Sequence, residues 1–313
     1  MIGKKGNWNL GLFLKKLHHY RTLLLMLLPS AVILFIFAYL PIGGIVLAFK
    51  QYRYDLGIWG SEWVGLSNFR FFFLSGQALR ITRNTALYNI AFIAVNTSLA
   101  VLLAIVLNEV RKRKVKKAVQ SVIFLPYFIS WVIIGSIAYN IFNFENGVLN
   151  NLLQAFGGEP LNVYAMPQAW KFIIVGFNAL KMVGYSMIVY LASITGIDAG
   201  LYEAAEIDGA NIFQRIKHIT LPGLRPTMIT LILLDVSKVF RGNLDLFYQL
   251  VGNNGRLFDT TDVIDTFVFR SLMQSSEVGM AAAAGLYQSV MCFATIMLVN
   301  MVVKKVNADY ALF

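Results

Sequence analysis

Residues 203–222 read EAAEIDGANIFQRIKHITLP and lie between two long apolar runs. Acidic residues occupy the first half of this segment, and Arg215, Lys217 and His218 occupy the second. Gly209 separates the two halves, and Leu221-Pro222 ends the segment. Such a polar stretch is not expected to face lipid, because charged side chains are costly at membrane depth. It indicates a water-exposed structure between two membrane spans.

The composition of the whole chain indicates an integral membrane protein. The chain has 313 residues, of which 58% are hydrophobic and 14% are charged, and its mean hydropathy is +0.64. Soluble proteins carry about 25% charged residues. The net charge of +11 needs no nucleic-acid partner, because basic residues accumulate in cytoplasmic loops and near anionic head groups. One cysteine and three histidines without metal-ligand spacing predict no metal site.

Apolar runs longer than about 18 residues predict membrane-spanning helices. Six spans are expected, at about residues 22–49, 84–108, 119–142, 170–194, 226–250 and 279–303. Basic residues then fall on one side of the membrane, in the segment before the first span, in the loop RKRKVKK at 111–117 and after the last span. Since lysine and arginine are enriched in cytoplasmic loops, that side is predicted to be cytoplasmic, with both termini of the chain.

This topology divides the chain into a few segments. Residues 1–21 form a basic cytoplasmic segment, 22–49 the first span and 50–83 an outer loop. That loop contains basic residues and many aromatic ones, so it is expected along the outer membrane interface. Residues 84–303 form a core of five spans that includes the segment 203–222, and 304–313 form a cytoplasmic tail.

The segment 203–222 has the pattern of two short helices joined by a turn. The first helix is expected to run through Asp208, and Gly209 then permits the turn. Asn211 is a suitable N-cap for a second helix, which Pro222 is expected to stop because proline cannot continue the hydrogen-bond ladder. Apolar residues of the second helix fall on one stripe, which suits docking into the groove of a partner. These are Ile212, Phe213, Ile216 and Ile219.

The spacing of these residues resembles the EAA loop of ABC importer permeases. It runs Glu203-Ala204-Ala205, three residues, Gly209, nine residues, Ile219, one residue and Leu221-Pro222. FLPYFIS at 124–130, the segment 260–290 and NADYALF at 307–313 resemble the carbohydrate-uptake branch, in particular its complex-polysaccharide, lipoprotein-associated permeases. The resemblance implies an all-α membrane protein with the type I ABC importer permease fold and a cytoplasmic coupling helix.

The resemblance also implies a role for the EAA loop (203–222) in coupling to a separate ATPase. Glu203 would meet a basic residue of that ATPase, Gly209 would make the turn and Phe213 would sit in the ATPase cleft. The coupling residues implied in this way are Glu203, Ala204, Ala205, Asp208, Gly209, Phe213, Ile219, Leu221 and Pro222. The chain has no GxxxxGK[ST] motif, so ATP and Mg are expected on the partner and no cofactor or catalytic residue is expected here.

The implied importer contains several other components in a bacterial cell membrane. A second homologous permease would form the other half of the pathway, because six spans are too few to enclose a path for a sugar. Two copies of the ATPase would lie on the cytoplasmic side. A lipoprotein or periplasmic solute-binding protein would deliver a carbohydrate, which we expect to be an oligosaccharide or a complex glycan.

Polar residues within the spans are candidates for the substrate pathway, because intramembrane charges face an interior, a cavity or a partner. At 100° per residue, those of the fifth span fall on one arc of a helix, and those of the fourth span lie close together. Sugar hydroxyls bind such polar groups, and sugar rings pack on aromatic side chains. The candidates are Asn178, Lys181, Tyr185, Asp235, Lys238, Arg241, Asp245 and Tyr248, with Tyr287 and Gln288 in the sixth span.

Other interpretations remain open on the residues alone. The charges of the fifth span could pair with each other, Asp235 with Lys238 and Arg241 with Asp245, and merely hold helices together. A secondary transporter driven by an ion gradient could use Asp235 and Asp245 to carry protons. A membrane-embedded enzyme would need a motif such as HExxH, which the sequence does not contain.

Overall fold

The computed structural model describes residues 19–74 and 76–306, with the side chain of Val306 left aside. Most of these residues are helical. Most of the predicted basic N-terminal segment, and the NADYALF tail at 307–313, lie outside the described residues. Only some of the basic residues from which the orientation was predicted are therefore among the described residues.

The helices are α1 to α15 in chain order, and two short strands form the one sheet of the described residues. The helices are Arg21–Leu34 (α1), Gly57–Gly60 (α2), Ser67–Leu74 (α3), Gln77–Glu109 (α4), Arg113–Phe124 (α5), Trp131–Phe142 (α6), Val148–Ala155 (α7), Pro167–Thr195 (α8), Ala199–Ile207 (α9), Ile212–Arg215 (α10), Leu221–Val236 (α11), Leu244–Val251 (α12), Phe258–Thr261 (α13), Ile264–Met273 (α14) and Val278–Val306 (α15). The strands are Lys50–Gln51 (β1) and Glu62–Trp63 (β2), which pair antiparallel.

Several of these helices join through π- or 3₁₀-helical turns into longer rods. In the described residues, five rods are long and apolar enough to cross a membrane: Arg21–Phe49, Gln77–Glu109, Pro167–Thr195, Ile212–Val236 and Val278–Lys305. A sixth span is obtained if the bent pair of Arg113–Phe128 and Trp131–Phe142 crosses once. The prediction of an all-α membrane protein with about six spans is therefore confirmed.

The third span is not the single helix that the sequence predicted. Its two halves meet at an angle of 95°. Pro126 lies in the 3₁₀ turn between them, and Ser130 caps the second half by accepting a hydrogen bond from the Ile133 amide. The Nζ of Lys181, on α8, donates to the carbonyl oxygens of Tyr127 and Ile129. Proline removes a helical hydrogen bond, and the lysine satisfies carbonyls that the bend leaves free.

The fifth span also differs from the prediction. Its helix ends at Val236 and a new helix, α12, begins only at Leu244. Residues 237–243, named here the span-5 break, form turns and extended backbone instead. The Asn243 side chain accepts a hydrogen bond from the Leu246 amide and so caps α12. Asparagine competes with a continuous helix in this way, because its side chain favours caps and turns.

The core forms where α4 packs along α8. One apolar cluster contains Ala100, Ala104 and Leu107 of α4 with Met187 and Tyr190 of α8, all buried. Small residues allow the two backbones to approach closely, as is usual between membrane helices. A second cluster, nearer the beginnings of the same helices, surrounds the fully buried Trp170 and takes in α6 and α12. The two helices thus form the fixed frame against which the broken spans are placed.

Candidate functional site

The first half of the EAA loop is a capped helix that ends in a left-handed residue. Asp198 caps α9 by accepting a hydrogen bond from the Gly200 amide at 2.9 Å. Gly209 follows with φ +77, and the Ala210 amide donates to the Ala205 carbonyl oxygen at 2.8 Å. The Gly209 amide donates to the Glu206 carbonyl oxygen at 3.1 Å. These bonds form a Schellman motif, in which glycine is favoured because the left-handed region strains other residues.

The second half of the loop begins with a capping box. The Asn211 side chain accepts from the Gln214 amide at 3.0 Å, and the Gln214 side chain accepts from the Asn211 amide at 2.7 Å. The Glu206 carboxylate lies 3.7 Å from the Arg215 guanidinium, so an ion pair links the two helices. The predicted roles of Gly209 in the turn and of Asn211 as the cap therefore match the local backbone.

The second helix does not stop at Pro222, so that expectation is wrong. Ile216–Thr220 form a π-helical turn, and the Leu221 amide donates to the Ile216 carbonyl oxygen five residues back. The helix then continues as α11 to Val236. A widened turn immediately before a proline relieves the clash of its ring with the preceding turn, and π-turns occur within helices for this reason. The second half of the loop and α11 thus form one continuous rod, Ile212–Val236.

The tip of the EAA loop carries apolar side chains that no other part of the described chain covers. Ile207 is 86% exposed and Phe213 is 78% exposed, whereas Ile216 of the same helix packs into the core. The predicted stripe is therefore divided, with Phe213 at the tip and Ile216 against α8. Glu203, Ala204 and Asp208 are also exposed. An apolar tip with acidic residues beside it is suited to insertion into a partner's cleft.

The fourth-span candidates lie on one continuous helix, α8, but in different surroundings. Asn178 is buried and its Oδ1 accepts a hydrogen bond from Asn96 Nδ2 of α4 at 2.8 Å. Lys181 is buried and bonds to the bend of the third span, as described above. Tyr185 is 47% exposed and stacks on Tyr127, with 5.0 Å between ring centroids. Of the three, Tyr185 presents the most surface to a ligand.

The fifth-span candidates surround the break and not one helical arc, so the predicted arc is wrong. Asp235 is close to the end of α11, Lys238 and Arg241 lie in the break and Asp245 begins α12. All four side chains are exposed. The ion pairs among residues 19–74 and 76–306 include neither Asp235 with Lys238 nor Arg241 with Asp245. The structure therefore shows no close contact in either of these pairs, and the interpretation of the charges as mutual pairs stays open.

The remaining candidates are tied to other parts of the chain. Tyr248 packs edge-on against Phe269, with ring centroids 5.0 Å apart. The Tyr287 hydroxyl lies 3.1 Å from Thr82 Oγ1, and its ring contacts Phe72. Gln288 donates from its Nε2 to the Phe240 carbonyl oxygen at 2.9 Å, which places it at the span-5 break.

Two residues at the break were missed by the sequence reasoning. Asn89 Nδ2 donates to the carbonyl oxygens of Val239 and Arg241, at 2.9 and 3.1 Å. The Asp265 Oδ2 accepts from the Gly242 amide at 2.6 Å and from the Gln288 Nε2 at 2.7 Å. The adjacent Gly242 and Asn243 within an apolar run were the signal for a helix break, because glycine and a capping asparagine favour turns. Nothing in the sequence pattern indicates Asn89 or Asp265 as their partners.

An open groove of about 760 Å³ lies between α4 and α8. Leu87, Tyr88, Phe172 and Val175 give it an apolar wall, and Lys171 is among its polar residues. None of the predicted pathway residues lines it. The groove is therefore a separate feature from the polar residues around the span-5 break.

Comparison with known proteins places the chain in a family. Residues 97–308 match the family of the binding-protein-dependent transport system inner membrane component. The chain belongs to this family. The matched region contains the EAA loop, the bent third span and the span-5 break, so the features described above lie within the shared part.

One of two similar relatives is named as a permease. The chain is 33% identical over 294 residues to the polygalacturonan/rhamnogalacturonan transport system permease protein YteP of Bacillus subtilis, covering 94% of this chain and 91% of the relative. It is 33% identical over 289 residues to the protein LplB of the same organism, covering 92% and 90%. These matches confirm the resemblance to carbohydrate-uptake ABC permeases and a function as a permease subunit.

Solved structures agree with the fold. The chain superposes with a TM-score of 0.85 and 30% identity on a chain of a bacterial ABC transporter involved in the import of the acidic polysaccharide alginate, covering 94% of this chain and 99% of that one. A second match has a TM-score of 0.83 and comes from a bacterial alginate ABC transporter in complex with an alginate pentasaccharide-bound periplasmic protein. The type I ABC importer permease fold is thereby confirmed.

Proposed function

We propose that this chain forms half of the pathway of an ATP-driven importer for an acidic oligosaccharide, and that the EAA loop couples it to a separate ATPase. A second, homologous permease forms the other half. Two ATPase copies bind ATP and Mg on the cytoplasmic side, so this chain is not catalytic by itself. A lipoprotein or periplasmic binding protein delivers the sugar on the outer side. The loop and both termini are cytoplasmic in this proposal.

The observation that carries the coupling role is the uncovered apolar tip of the EAA loop on a rigidly capped turn. Phe213 and Ile207 are exposed in a segment whose backbone is fixed by a Schellman motif, a capping box and an ion pair between its helices. A tip that is pre-formed in this way loses little conformational entropy on docking. Two large apolar side chains exposed at the end of an otherwise polar loop suit contact with a partner.

An acidic oligosaccharide is supported by the pathway residues and by the relatives. Lys238 and Arg241 belong to none of the close ion pairs of the described chain and both are exposed, so a substrate carboxylate can reach them. The guanidinium of an arginine binds a carboxylate through two parallel hydrogen bonds. The carboxylates of Asp235 and Asp245 on the same segment suit sugar hydroxyls, which donate to them. Relatives named for polygalacturonan, rhamnogalacturonan and alginate transport act on acidic sugars.

Reconstitution tests this function. Vesicles that contain this chain, its second permease and its ATPase are supplied with the binding protein and with an oligogalacturonate or an oligoalginate. We expect uptake that requires ATP on the side of the membrane where the ATPase is bound. This uptake should persist when ion gradients are collapsed. Glu203→Lys should abolish ATP-dependent uptake and co-purification of the ATPase. Accumulation that follows an ion gradient without ATP would instead identify a secondary transporter.

A further inference from the structure

We propose that Asn89, Asp265 and Gln288 are positioning residues, which hold the span-5 break open and so direct Lys238 and Arg241 towards the substrate. The inference rests on the proposed function, because it assigns a purpose to the break within the same pathway. None of the three needs to touch the sugar. Each acts through the backbone of residues 237–243, and together they come from three different helices, α4, α14 and α15.

The first argument is that these side chains satisfy the backbone of the break. Helix α11 ends before it, so the carbonyl oxygens of Val239, Phe240 and Arg241 have no partner in a continuing helix. Asn89 donates to the first and third of these, and Gln288 donates to the second. The Gly242 amide donates to Asp265. An unpaired backbone group away from water is costly, so the break persists only with such partners.

The second argument concerns depth in the membrane. Asn89 lies five residues into the expected span 84–108, or about 8 Å at 1.5 Å per residue. Gln288 lies nine residues into the expected span 279–303, or about 14 Å. The apolar part of a bilayer is about 30 Å thick. The break is therefore expected at membrane depth, where irregular backbone occurs only if it is buried in protein or lines a water-filled cavity.

The third argument is the close contact at Gly242. A Cβ at this position would lie 2.6 Å from Asp265 Oδ2 and 3.0 Å from Val263 Cγ2. The absence of a side chain therefore lets the carboxylate reach the Gly242 amide. The same carboxylate oxygen also accepts a hydrogen bond from the side-chain amide of Gln288. The backbone on the C-terminal side of Arg241 is thus held at two points. Asn89 binds the carbonyl oxygen of Arg241, and Asp265 binds the amide of the next residue, Gly242.

The consequence is a fixed direction for the charged side chains. In a continuous helix, the rotation of about 100° per residue would set the directions of the side chains at positions 238 and 241. The peptide groups of these residues would then be hydrogen-bonded within the helix. In the break, their direction is set by side chains of three other helices instead. An arginine whose backbone is already held in place loses less conformational freedom when it binds a carboxylate, so the affinity for the substrate should depend on Asn89, Asp265 and Gln288. Loss of one of these three side chains should change the KM for uptake more than the maximal rate.

The test compares Asp265→Ala with Arg241→Gln in the reconstituted importer. Asp265→Asn keeps an oxygen that accepts from Gly242, and Ser289→Ala is a matched control beside Gln288, because Ser289 bonds only within its own helix. We expect Asp265→Ala to raise the KM for an oligogalacturonate about tenfold, with the maximal rate changed less than about twofold. Asp265→Asn should have a smaller effect, and Ser289→Ala none.

The double variant decides whether Asp265 acts through Arg241. If it does, Asp265→Ala should add less than about a twofold increase in KM when Arg241→Gln is already present, because coupled residues are not additive. Independent, multiplicative effects would overturn the positioning role, as would an unchanged KM in Asp265→Ala. If Arg241→Gln itself leaves KM unchanged, the pathway in the proposed function is wrong. If Asp265→Ala fails to assemble, Gln288→Leu takes its place, alone and combined with Arg241→Gln, and the same comparison of KM values applies.

A second readout is independent of transport. Cys292, the one cysteine of the chain, lies beside the Phe240 carbonyl of the break. Its modification by a small water-soluble thiosulfonate, followed by mass spectrometry of the purified complex, reports on access to this region. We expect Asp265→Ala to accelerate modification about tenfold, as expected for a local opening made about 1.4 kcal/mol easier. An unchanged rate would contradict the idea that Asp265 holds the break.

Discussion

The turn at Gly209 offers a direct test of the coupling role. Gly209 has φ +77, and a Cβ built there would meet no atom within 4 Å. Gly209→Ala therefore introduces no clash, and its effect comes from the left-handed backbone alone, which costs an alanine about 1–2 kcal/mol. If docking requires this turn, the equilibrium constant between the docking conformation and its alternatives falls by about 5- to 30-fold, since 1.4 kcal/mol is a factor of ten. The apparent affinity for the ATPase should fall by up to the same factor.

Gly157 provides the matched control for this substitution. It has φ +79 and also has nothing within 4 Å of a built Cβ. It follows α7 in the same motif, with the Gly158 amide donating to the Leu153 carbonyl oxygen at 2.7 Å. Gly157→Ala should thus cost the same backbone strain at a place that the proposal puts on the opposite side of the membrane.

The assay is a titration of the ATPase onto the permease pair in detergent or nanodiscs, with ATP-dependent uptake measured in parallel. We expect Gly209→Ala to weaken ATPase binding and Gly157→Ala to leave it unchanged. Gly209→Asn should lie between wild type and Gly209→Ala, because asparagine adopts the left-handed region more easily. Equal affinities for both alanine variants would refute the argument that the turn presents the docking surface.

Three further predictions concern other contacts. Phe213→Ala should weaken ATPase binding by about 2 kcal/mol or more without changing the melting temperature. Phe156→Ala, at a residue that is also highly exposed and that the proposal puts on the opposite side of the membrane, should change neither. Asp262→Asn should lower the free energy of unfolding by about 3–5 kcal/mol, because the buried carboxylate pairs with Arg270 at 2.6 Å. Asp259→Asn, which changes an exposed ion pair, should lower it by less than about 1 kcal/mol. Thermal melts of the two variants check this difference. Lys181→Met should cost about 1–3 kcal/mol by leaving carbonyls unpaired at the bend of the third span, while Lys171→Met on the same helix should not; equal melting temperatures would contradict this.

Much of the fold could be predicted because apolar length and turn chemistry are local properties. The run of apolar residues before Glu109 specifies a spanning helix whatever its neighbours are, and α4 indeed continues to that residue. Gly209 and Asn211 are likewise read correctly, since a left-handed turn and a capping box involve only residues within a few positions. Features of this kind need no knowledge of how the helices pack.

 The broken spans could not be predicted in the same way, because the causes lie far apart in the sequence. Pro126 permits a bend, but the bend is completed by Lys181, more than fifty residues later. The span-5 break is stabilised by Asn89 and Asp265, from helices on either side in the chain. A helical wheel drawn through the break therefore gave the wrong arc for Arg241. The π-helical turn before Pro222 escaped prediction for a related reason, since one widened turn leaves little trace in an apolar pattern.

The predicted pathway and coupling residues remain predictions at the level of function. The structure shows where they lie and which of them are already bonded within the chain. Lys181 serves the bend, and Tyr287 packs with aromatic residues of α3. Lys238 and Arg241 are left exposed at the break. Charge and hydropathy alone could not distinguish these cases, because a lysine that caps a bend and one that binds a ligand have the same side chain.

The π-helical turn at Ile216–Thr220 has a mechanical consequence. Because the helix is not interrupted at Pro222, residues Ile212–Val236 form a rod of 25 residues, or about 37 Å at 1.5 Å per residue. A stiff lever of this length that swings by about 10° around its midpoint shifts each end by about 3 Å. A push delivered at Phe213 would be carried along one continuous helix to its end at Val236, two residues before Lys238.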